Sequence, residues 1–369
     1  MGGIESVTKF IVDSLPSCRH YVLSFNNDGN YDRSGSEDII VERIPTDYKL
    51  LSQPVSLQYS KRIKSAISEW QPDVVYFHYP NPLGAYLVLR HLPRHIPLVV
   101  HWHSDIVQQK VVYPLFKNLE HRLLSRADVI VATSESYANA SRPLRPFLSK
   151  HRVIPCSVNT SSLTLSDEGR ERVERLRRDA GGRPIVFFIG RHVKYKGLPY
   201  LLEAEKLMKN DHLVLIAGTG KITEGLKERY KEREEAGAIR WLGRIPDEDI
   251  PVYLHAADIF AFPSITRNEA FGVALAEAMY CGTPAVTFEI PRSGVNWVSP
   301  DAVSSLCVEN SNVGEYARAL DRLITDDALR ESLGETGQRR VSELFSEQAV
   351  ARLYRELMDD IASGKIKKS

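Results

Sequence analysis

Long hydrophobic runs are absent from this sequence. No apolar stretch approaches the length of about 20 residues that a membrane-spanning helix needs. The first residues show no pattern of a secretory leader. We therefore expect a cytoplasmic protein without a membrane-spanning helix.

Cysteine is scarce, and neither sign of charge is in excess. The four cysteines are widely scattered and form no C-x-x-C pair, so their spacing predicts no zinc site and fits a reducing compartment. Lysine and arginine number 48 against 47 acidic residues, a net charge of +1, which gives no global reason to expect nucleic acid as a partner.

Short β-branched or aromatic runs alternate with amphipathic segments along the 369 residues, a length that suggests two domains. The runs predicted as strands are HYVLSF, DIIVERI, DVVYFHY, LVVHWH, DVIVAT and RVIPCSV in the first half, and PIVFFIG, HLVLIAG, AIRWLG, DIFAFPS, PAVTF and VSSLCV in the second. Continuously apolar strands separated by helices indicate parallel sheets covered on both faces. The pattern predicts an α/β protein of two doubly wound, Rossmann-like domains that face each other across a cleft.

The boundary between these domains is expected near the polar segment 161–183, which has no strand pattern. A predicted helix in this segment ends at Gly181-Gly182, a typical helix stop. We predict an N-terminal domain over residues 1–165 and a C-terminal domain over 166–345. Residues 346–369 are predicted to form a last helix that can pack back on the N-terminal domain.

The loop after the PIVFFIG strand carries Arg191 and Lys196 within RHVKYKG. Arginine offers a bidentate fork for phosphate and lysine a mobile charge, and a helix begins directly afterwards. This combination suits a diphosphate without a metal ion. The alternative is two solvated basic residues in a surface loop.

Glu269 and Glu277 lie eight positions apart in the apolar stretch RNEAFGVALAEAMYCGTPAV. Glu269 is expected in the loop or first turn of a helix and Glu277 two turns further along, roughly 12 Å away at the helical rise per residue. That is more than the roughly 5 to 9.5 Å of a hydrolytic carboxylate pair. That span matches the two ends of a nucleotide-sugar, with the helix-start amides of Ala270 to Gly272 facing its diphosphate. The alternative is that Glu277 faces water and Glu269 is an ordinary acid at a helix start.

Two histidines, His101 and His103, leave the LVVHWH strand on the same side. A histidine at a strand end beside a cleft can hydrogen-bond a sugar hydroxyl. A zinc site is the alternative, but the sequence shows no third ligand for it.

Two motifs together resemble a known enzyme family. The block EAFGVALAE is similar to the E-x7-E signature of retaining glycosyltransferase family 4, and GRHVKYKG resembles its phosphate-binding motif. The resemblance covers nearly the whole chain and implies the GT-B fold. HWHSDI further resembles a subset of mannosyl-, rhamnosyl- and related hexosyltransferases of bacterial surface-polysaccharide synthesis.

The resemblance implies a role for each candidate site residue. In the second domain, Arg191 and Lys196 would neutralise the donor diphosphate, Glu269 and the amides of Phe271 and Gly272 would contact the donor sugar, Glu277 would bind the ribose, and Arg244 and Ile245 would lie near the base. In the first domain, His103 would touch the donor sugar, and the amides of Gly2 and Gly3 would approach the phosphates and acceptor. Arg191, Lys196, Glu269 and His103 would form the catalytic group.

The implied reaction moves a hexose from GDP-mannose or a UDP-hexose to a saccharide or lipid-linked saccharide, with retention of configuration. The departing phosphate oxygen would accept the proton of the acceptor hydroxyl. No cofactor or metal is expected, because Arg191 and Lys196 take the place of a divalent ion. Two alternatives stay open: a non-hydrolysing sugar-nucleotide epimerase, and a catalytically inactive saccharide-binding relative.

Two further expectations concern the first domain. The basic segments KRIKSAISEW and SRPLRPFLSKHR suggest peripheral contact with anionic lipid on the inner face of the membrane. Members of the family begin with a strand before the glycine pair, which here is Gly2 and Gly3. We therefore expect an N-terminal sheet that lacks its first strand and is incomplete.

Overall fold

A computed structural model describes residues 3–26, 29–50, 53–105 and 113–366. The chain divides into two compact units, residues 1–154 together with 351–369, and residues 155–350. These divisions lie at 154/155 and 350/351, whereas the sequence placed them at 165/166 and 345/346. The difference arises because Val158 and Leu163 are buried in the core of the second unit. The Val158 amide also donates to the Phe345 carbonyl at 2.7 Å.

The first unit combines short strands with helices on their faces. Its helices are α1 Gly3–Ser14, α2 Tyr59–Trp70, α3 Pro82–His91, α4 Tyr113–Arg126 and α5 Glu135–Ala140, followed after the second unit by most of α15 Glu347–Ala362. Its strands are β1 His20–Asn26, β2 Asp32–Gly35, β3 Ile39–Pro45, β4 Tyr48–Leu50, β5 Gln53–Val55, β6 Val75–Tyr79, β7 Leu98–Trp102, β8 Val129–Ala132 and β9 His151–Val153. A 3-10 helix spans Arg145–Lys150.

The strands of the first unit fall into separate sheets within the described residues. The order β6-β7-β8-β9 forms a parallel sheet, and β1-β3-β2 forms another in which β2 runs antiparallel. All six strands predicted for this half are present. The antiparallel strands β2, β4 and β5 were not predicted, and β2 is the polar and mostly exposed run DRSG, which carries no apolar alternation. Among the described residues, β1 and β6 belong to different sheets.

The second unit is a regular alternation of strands and helices. Its strands are β10 Ile185–Ile189, β11 Leu213–Ala217, β12 Ile239–Gly243, β13 Ile259–Phe262, β14 Ala285–Phe288 and β15 Ser305–Val308. Its helices are α6 Asp167–Asp179, α7 Leu198–Glu205, α8 Thr223–Arg229, α9 Lys231–Glu235, α10 Ile250–Ala256, α11 Val273–Tyr280, α12 Val295–Val298, α13 Val313–Thr325 and α14 Asp327–Leu344. Short 3-10 helices span Lys194–Lys196 and Asp247–Asp249.

The strand order of the second unit is β12-β11-β10-β13-β14-β15, and all neighbours are parallel. The central strands β10, β11, β13 and β14 are almost wholly buried, because helices cover both faces. The order reverses between β10 and β13. In open parallel sheets, ligands bind beyond the carboxyl ends of the strands at such a reversal.

Two predictions about helices have different outcomes. The sequence predicts that the acidic run DED at 247–249, which follows Pro246, begins a helix, and the 3-10 turn that leads into α10 confirms this. The sequence also predicts a single helix over KITEGLKERYKERE, which is wrong, since Tyr230 leaves helical geometry with φ −112° and ψ 21° and separates α8 from α9. The Tyr230 hydroxyl donates to Glu203 Oε1 at 2.6 Å, which holds the break in place.

Within the described part of the chain, no helix is both long enough and apolar enough to cross a bilayer.

Candidate functional site

The loops that follow β10 and β13 are joined to each other where the strand order reverses. The Ile265 amide donates to the Tyr195 carbonyl at 3.0 Å. Gly197 has φ +69°, and a Cβ there would lie 1.7 Å from the Pro263 carbonyl oxygen. Only glycine permits this backbone conformation at so close an approach. The two loops therefore form one structure in which Lys196 and Glu269 are held near each other.

Lys196 and Glu269 form an ion pair between these loops. Lys196 Nζ lies 2.5 Å from Glu269 Oε2, and the two side chains are 15% and 12% exposed. Ser264 Oγ donates to the same carboxylate oxygen at 3.1 Å. Lys196 Nζ also lies 5.5 Å from the centroid of the Phe262 ring, within the range of a cation–π contact. The cation is thus partly desolvated, which strengthens its attraction for an anion.

Arg191 lies on the same loop as Lys196 but is exposed. Its guanidinium donates from Nη2 to the Tyr195 hydroxyl at 3.1 Å. The two cations singled out in the sequence are therefore presented differently. Lys196 is fixed beside a carboxylate, whereas Arg191 stands at the protein surface where an anion can reach it.

Glu269 precedes helix α11, because that helix begins only at Val273 after Gly272 with φ +87°. The helical spacing used to place Glu269 roughly 12 Å from Glu277 is therefore wrong. The predicted helix-start amides of Ala270 to Gly272 also lie ahead of the helix. Instead, Ser293 Oγ donates to the Glu269 carbonyl and the Gly294 amide donates to the Ala270 carbonyl at 3.1 Å. These contacts fix the loop without a helix.

Glu277 is half-buried within α11, in a run of otherwise apolar residues. Within the part of the chain that the structure describes, no hydrogen-bond donor or ion-pair partner contacts its carboxylate. Burial and the nearby negative charge of Asp247 raise the pKa of Glu277. A partly buried carboxylate without a partner is unfavourable, so this group is available to donors on a ligand, such as hydroxyls.

The remaining predicted residues of the second unit differ in what they expose. Arg244 is exposed just after β12, while the Ile245 side chain is 9% exposed and packs in the core. The Phe271 side chain is 3% exposed, and its ring centroid lies 5.3 Å from that of Phe345. Ile245 and Phe271 therefore have only their main-chain groups to offer a ligand, as the sequence interpretation required.

The predicted glycines and His103 belong to the first unit. Gly2 lies outside the described residues, and Gly3 is the first residue of α1. His103 follows β7, and its amide donates to the Tyr79 carbonyl at 3.1 Å.

A third histidine, His78, joins His101 and His103 at the end of the neighbouring strand. In the β6–β7 register His78 is the partner of His101. Nitrogen atoms of all three imidazoles lie within 4.8 Å of one another. The sequence analysis missed His78, although DVVYFHY was predicted as a strand. Recognising that β6 and β7 are parallel neighbours would have placed it beside the other two.

The three imidazoles are neutral at ordinary pH. Burial lowers the pKa of His103 to about 4, and burial together with the charge of His103 lowers that of His78 to about 3. Burial is the main cause that lowers the pKa of His101 well below its usual value, and the charges of His103 and His78 lower it further. Neutral imidazoles can ligate a transition metal or exchange hydrogen bonds. His78 supplies the third nitrogen that was not evident from the sequence.

Two family models divide the chain between them. The model described as Glycosyltransferase Family 4 matches residues 1–162, and the model described as Glycosyl transferases group 1 matches residues 171–340.

Relatives match over most of the chain. The D-rhamnosyltransferase WbpZ of Pseudomonas aeruginosa is 31% identical over 352 residues, 94% of this chain and 89% of that protein. The O-antigen chain mannosyltransferase C of Escherichia coli is 28% identical over 318 residues, 86% of this chain and 83% of that protein. The structure of sucrose-phosphate synthase from Thermosynechococcus elongatus superposes with a TM-score of 0.80 at 20% identity, over 98% of this chain and 94% of that one.

The structural likeness confirms the predicted fold of two Rossmann-like units, and the sequence matches identify the family. The chain belongs to glycosyltransferase family 4 and is a glycosyltransferase.

Proposed function

We propose that this protein is a retaining hexosyltransferase that takes a hexose or deoxyhexose from a nucleoside-diphosphate sugar and passes it to a saccharide or lipid-linked saccharide. The observation that carries the proposal is the Lys196–Glu269 pair at the reversal of strand order, where open parallel sheets bind ligands. The names of the rhamnosyl- and mannosyltransferase relatives support a hexose or deoxyhexose as the transferred sugar. The donor proposed here is GDP-mannose or a UDP-hexose.

The diphosphate of the donor is assigned to the two cations of the loop after β10. The partly buried Lys196 supplies a fixed charge, and exposed Arg191 supplies a bidentate fork. When phosphate oxygens approach Lys196, the ammonium has donors for both the phosphate and Glu269. Glu269, with the amides of Phe271 and Gly272, is assigned the hydroxyls of the donor sugar.

The nucleoside is assigned to the neighbouring loops of the same unit. Glu277, whose carboxylate has no hydrogen-bond donor among the described residues, accepts from the ribose hydroxyls. Main-chain groups of Arg244 and Ile245 meet the base. From the first unit, His103 is assigned a donor-sugar hydroxyl, and the amides of Gly2 and Gly3 the phosphates and acceptor.

In the reaction, the bond between the anomeric carbon and the phosphate oxygen breaks, and the leaving diphosphate keeps the electron pair. The acceptor hydroxyl oxygen bonds to the anomeric carbon from the same face, and its proton passes to the departing phosphate oxygen. Arg191 and Lys196 stabilise the charge that develops on the diphosphate. No divalent ion is needed in this proposal, so activity should survive exhaustive chelation. Loss with chelator and recovery with magnesium would count against it.

We propose that contact with an anionic membrane depends on electrostatic attraction alone, without insertion of apolar side chains. Tyr59 and Ile63 of α2 are buried in the first unit, so this helix has no free apolar stripe to insert. Four basic side chains in the two predicted segments are exposed, namely Lys61, Lys64, Arg142 and Arg145. Clustered basic residues each contribute about 1 kcal/mol to binding at an anionic surface.

Vesicle co-sedimentation tests this contact. Vesicles with anionic headgroups should retain the full chain at low salt, and added salt or the combined charge reversal of the four residues should release it. Equal sedimentation with neutral vesicles would oppose a charge-based contact.

Donor screening tests the transferase proposal. The purified chain is first screened by thermal shift against GDP- and UDP-sugars, and the stabilising donors are then incubated with saccharide acceptors. The expected result is a glycosylated product whose anomeric configuration matches that of the donor. Inversion at the anomeric carbon would refute the retaining mechanism.

The same experiment separates the two alternatives. An epimerase would convert the donor sugar without any acceptor, and an inactive relative would bind the donor without turnover. The relatives reported above are named as transferases and favour neither alternative.

A further inference from the structure

Thr8, His78 and His103 form a chain of hydrogen bonds in the first unit. Thr8 Oγ1 lies 3.3 Å from His78 Nε2, and His78 Nδ1 lies 2.9 Å from His103 Nε2. Thr8 is on α1, His78 is the last but one residue of β6 and His103 follows β7, so the chain links three separate segments.

The direction of each hydrogen bond follows from Thr8. Its single hydroxyl proton is donated to the Ile4 carbonyl at 2.9 Å. Thr8 Oγ1 can therefore only accept a hydrogen bond from His78. This places the proton of neutral His78 on Nε2 and leaves Nδ1 bare, that is, without a proton. Bare Nδ1 must in turn accept from His103, which places the His103 proton on Nε2.

The opposite nitrogen of His103 is consequently a hydrogen-bond acceptor. His103 is half-buried, and among the described residues no protein group forms a hydrogen bond with its Nδ1. Because its pKa is lowered to about 4, the ring remains neutral and Nδ1 keeps its lone pair at neutral pH. A neutral acceptor of this kind suits a sugar hydroxyl.

Ring geometry favours this chain over a metal site. The His78 and His103 rings are nearly coplanar at 13°, with centroids 5.2 Å apart. That separation equals the 2.9 Å between the nitrogens plus one ring radius on each side, so the two rings meet edge to edge along the hydrogen bond.

His101 lies against the face of His103, with centroids 4.2 Å apart at 11°. Lone pairs of imidazole lie in the ring plane, so stacked rings do not direct them to one point. Two histidine nitrogens on one tetrahedral zinc ion would also stand about 3.3 Å apart, farther than His78 and His103 are.

We propose that Thr8 and His78 are positioning residues that hold His103 as the Nε2–H tautomer, so that its Nδ1 accepts a hydrogen bond from a hydroxyl of the transferred sugar. The part that concerns the sugar rests on the proposed function, whereas the tautomer does not.

Nitrogen NMR of the full-length chain with ¹⁵N-labelled histidine tests the tautomer directly. Long-range proton–nitrogen correlations distinguish a bare ring nitrogen from a protonated one, and single substitutions assign the signals among the 11 histidines. His103 should show protonated Nε2 and bare Nδ1 at neutral pH. A protonated Nδ1 would overturn the proposal. So would stoichiometric zinc that shifts the signals of all three histidines and is released by chelator.

Matched substitutions test the positioning role. Thr8→Val and His78→Leu remove the partners, and His103 should then become a mixture of tautomers. Thr8→Ser keeps the hydroxyl, and His78→Asn keeps an acceptor oxygen close to the position of Nδ1, so both should restore the wild-type signal. An unchanged His103 signal in His78→Leu would contradict the proposal.

Kinetics connect the tautomer to transfer. His78→Leu should lower kcat/KM for sugar transfer about tenfold, as expected for the loss of one hydrogen bond, with His78→Asn recovering most of it. The affinity for the nucleoside diphosphate alone should change little, because the side chains proposed to bind it, Arg191, Lys196 and Glu277, lie in the second unit. If His103 is the Nε2–H tautomer but the protein transfers no sugar, the proposed function is refuted and the tautomer assignment stands. If the protein transfers sugar but His103 carries its proton on Nδ1, this inference is refuted and the proposed function stands.

Discussion

Lys196 Nζ lies 2.5 Å from Glu269 Oε2, so the cation proposed for the donor diphosphate and the carboxylate proposed for the donor sugar hold each other in position. Neither side chain is free to rotate into solvent, because both are mostly buried and Ser264 adds a hydrogen bond to the carboxylate. The pair is preorganised for a ligand that carries negative charge next to hydroxyls. Such preorganisation reduces the entropy that binding must overcome.

Lys196→Ala should weaken binding of nucleoside diphosphates and lower kcat by about 10²-fold or more, a typical loss for one electrostatic group at a reacting centre. Lys194→Ala is the matched control, since Lys194 is an exposed lysine in the same 3-10 helix. Isothermal titration with the nucleoside diphosphate and steady-state kinetics are the measurements. Equal losses in the two variants would show that Lys196 acts only through general charge.

Gly197→Ala should destabilise the second unit by roughly 1–3 kcal/mol or more, because alanine is strained at φ +69° and its Cβ would clash with the Pro263 carbonyl. Gly225→Ala is the control. Gly225 lies in α8 with no atom within 4 Å of an added Cβ, so alanine there should stabilise by roughly 0.5–1 kcal/mol. Guanidinium unfolding midpoints provide the comparison. A stable Gly197→Ala variant with unchanged donor affinity would contradict the joined-loop description.

Glu277→Gln should bind the donor more weakly, by about tenfold or more, because it loses a charged hydrogen-bond acceptor. The same variant should be more stable than the wild type at neutral pH. Burial and Asp247 raise the pKa of Glu277 above its ordinary 4.5, so ionisation opposes folding. The contribution of Glu277 to the folding stability of the wild type is fully present below pH 4.5, and it is lost as the pH rises through the raised pKa of the folded state.

Thermal unfolding across pH checks the Glu277 prediction. The stability difference between Glu277→Gln and the wild type should grow as pH rises above 4.5 and vanish in acid. Glu228→Gln, at an exposed glutamate of α8, should show no such dependence. A pH-independent difference would mean that Glu277 is solvated like Glu228.

Glu205→Ala should destabilise the second unit by about 2–3 kcal/mol without altering the ligand residues, because it leaves the buried His212 imidazole and the 39% exposed Arg233 guanidinium without their acceptor. Glu205 is fully buried and accepts from Arg233 Nε at 3.0 Å and from His212 Nε2 at 3.3 Å. Burial alone would raise its pKa, but the hydrogen bonds from His212 and Arg233 outweigh burial and lower it.

Glu235→Ala is the control for Glu205, since Glu235 is 65% exposed where it pairs with Lys231 at 3.8 Å and should cost about 1 kcal/mol or less. Denaturant midpoints of the two variants give the test. The Glu205 contribution should fall as the pH drops through its lowered pKa. A similar, small loss in both variants would show that the buried pair is not needed for stability.

The sequence predicted the loop cations and the glutamate pair, and it placed Glu269 in the loop or first helical turn without deciding where the helix begins. Nothing in RNEAFG forbids a helix, and the loop is kept by contacts from Ser293 and Gly294, which are remote in sequence. His78 was missed for the same reason. Its strand was predicted, yet its neighbour His101 became evident only when the two strands were paired in register.

The sequence alone determined the alternation of strands and helices, the positions of Arg191, Lys196, Glu269 and Glu277 along them, and the family, because periodicity and short motifs are local properties of the chain. Tertiary structure decided which side chains meet. It partly buried Glu277 near the negative charge of Asp247, joined Lys196 to Glu269 and linked Thr8, His78 and His103 by hydrogen bonds. Desolvation and hydrogen-bond direction depend on groups that are distant in sequence, and only the folded chain brings those groups within a few ångströms of each other.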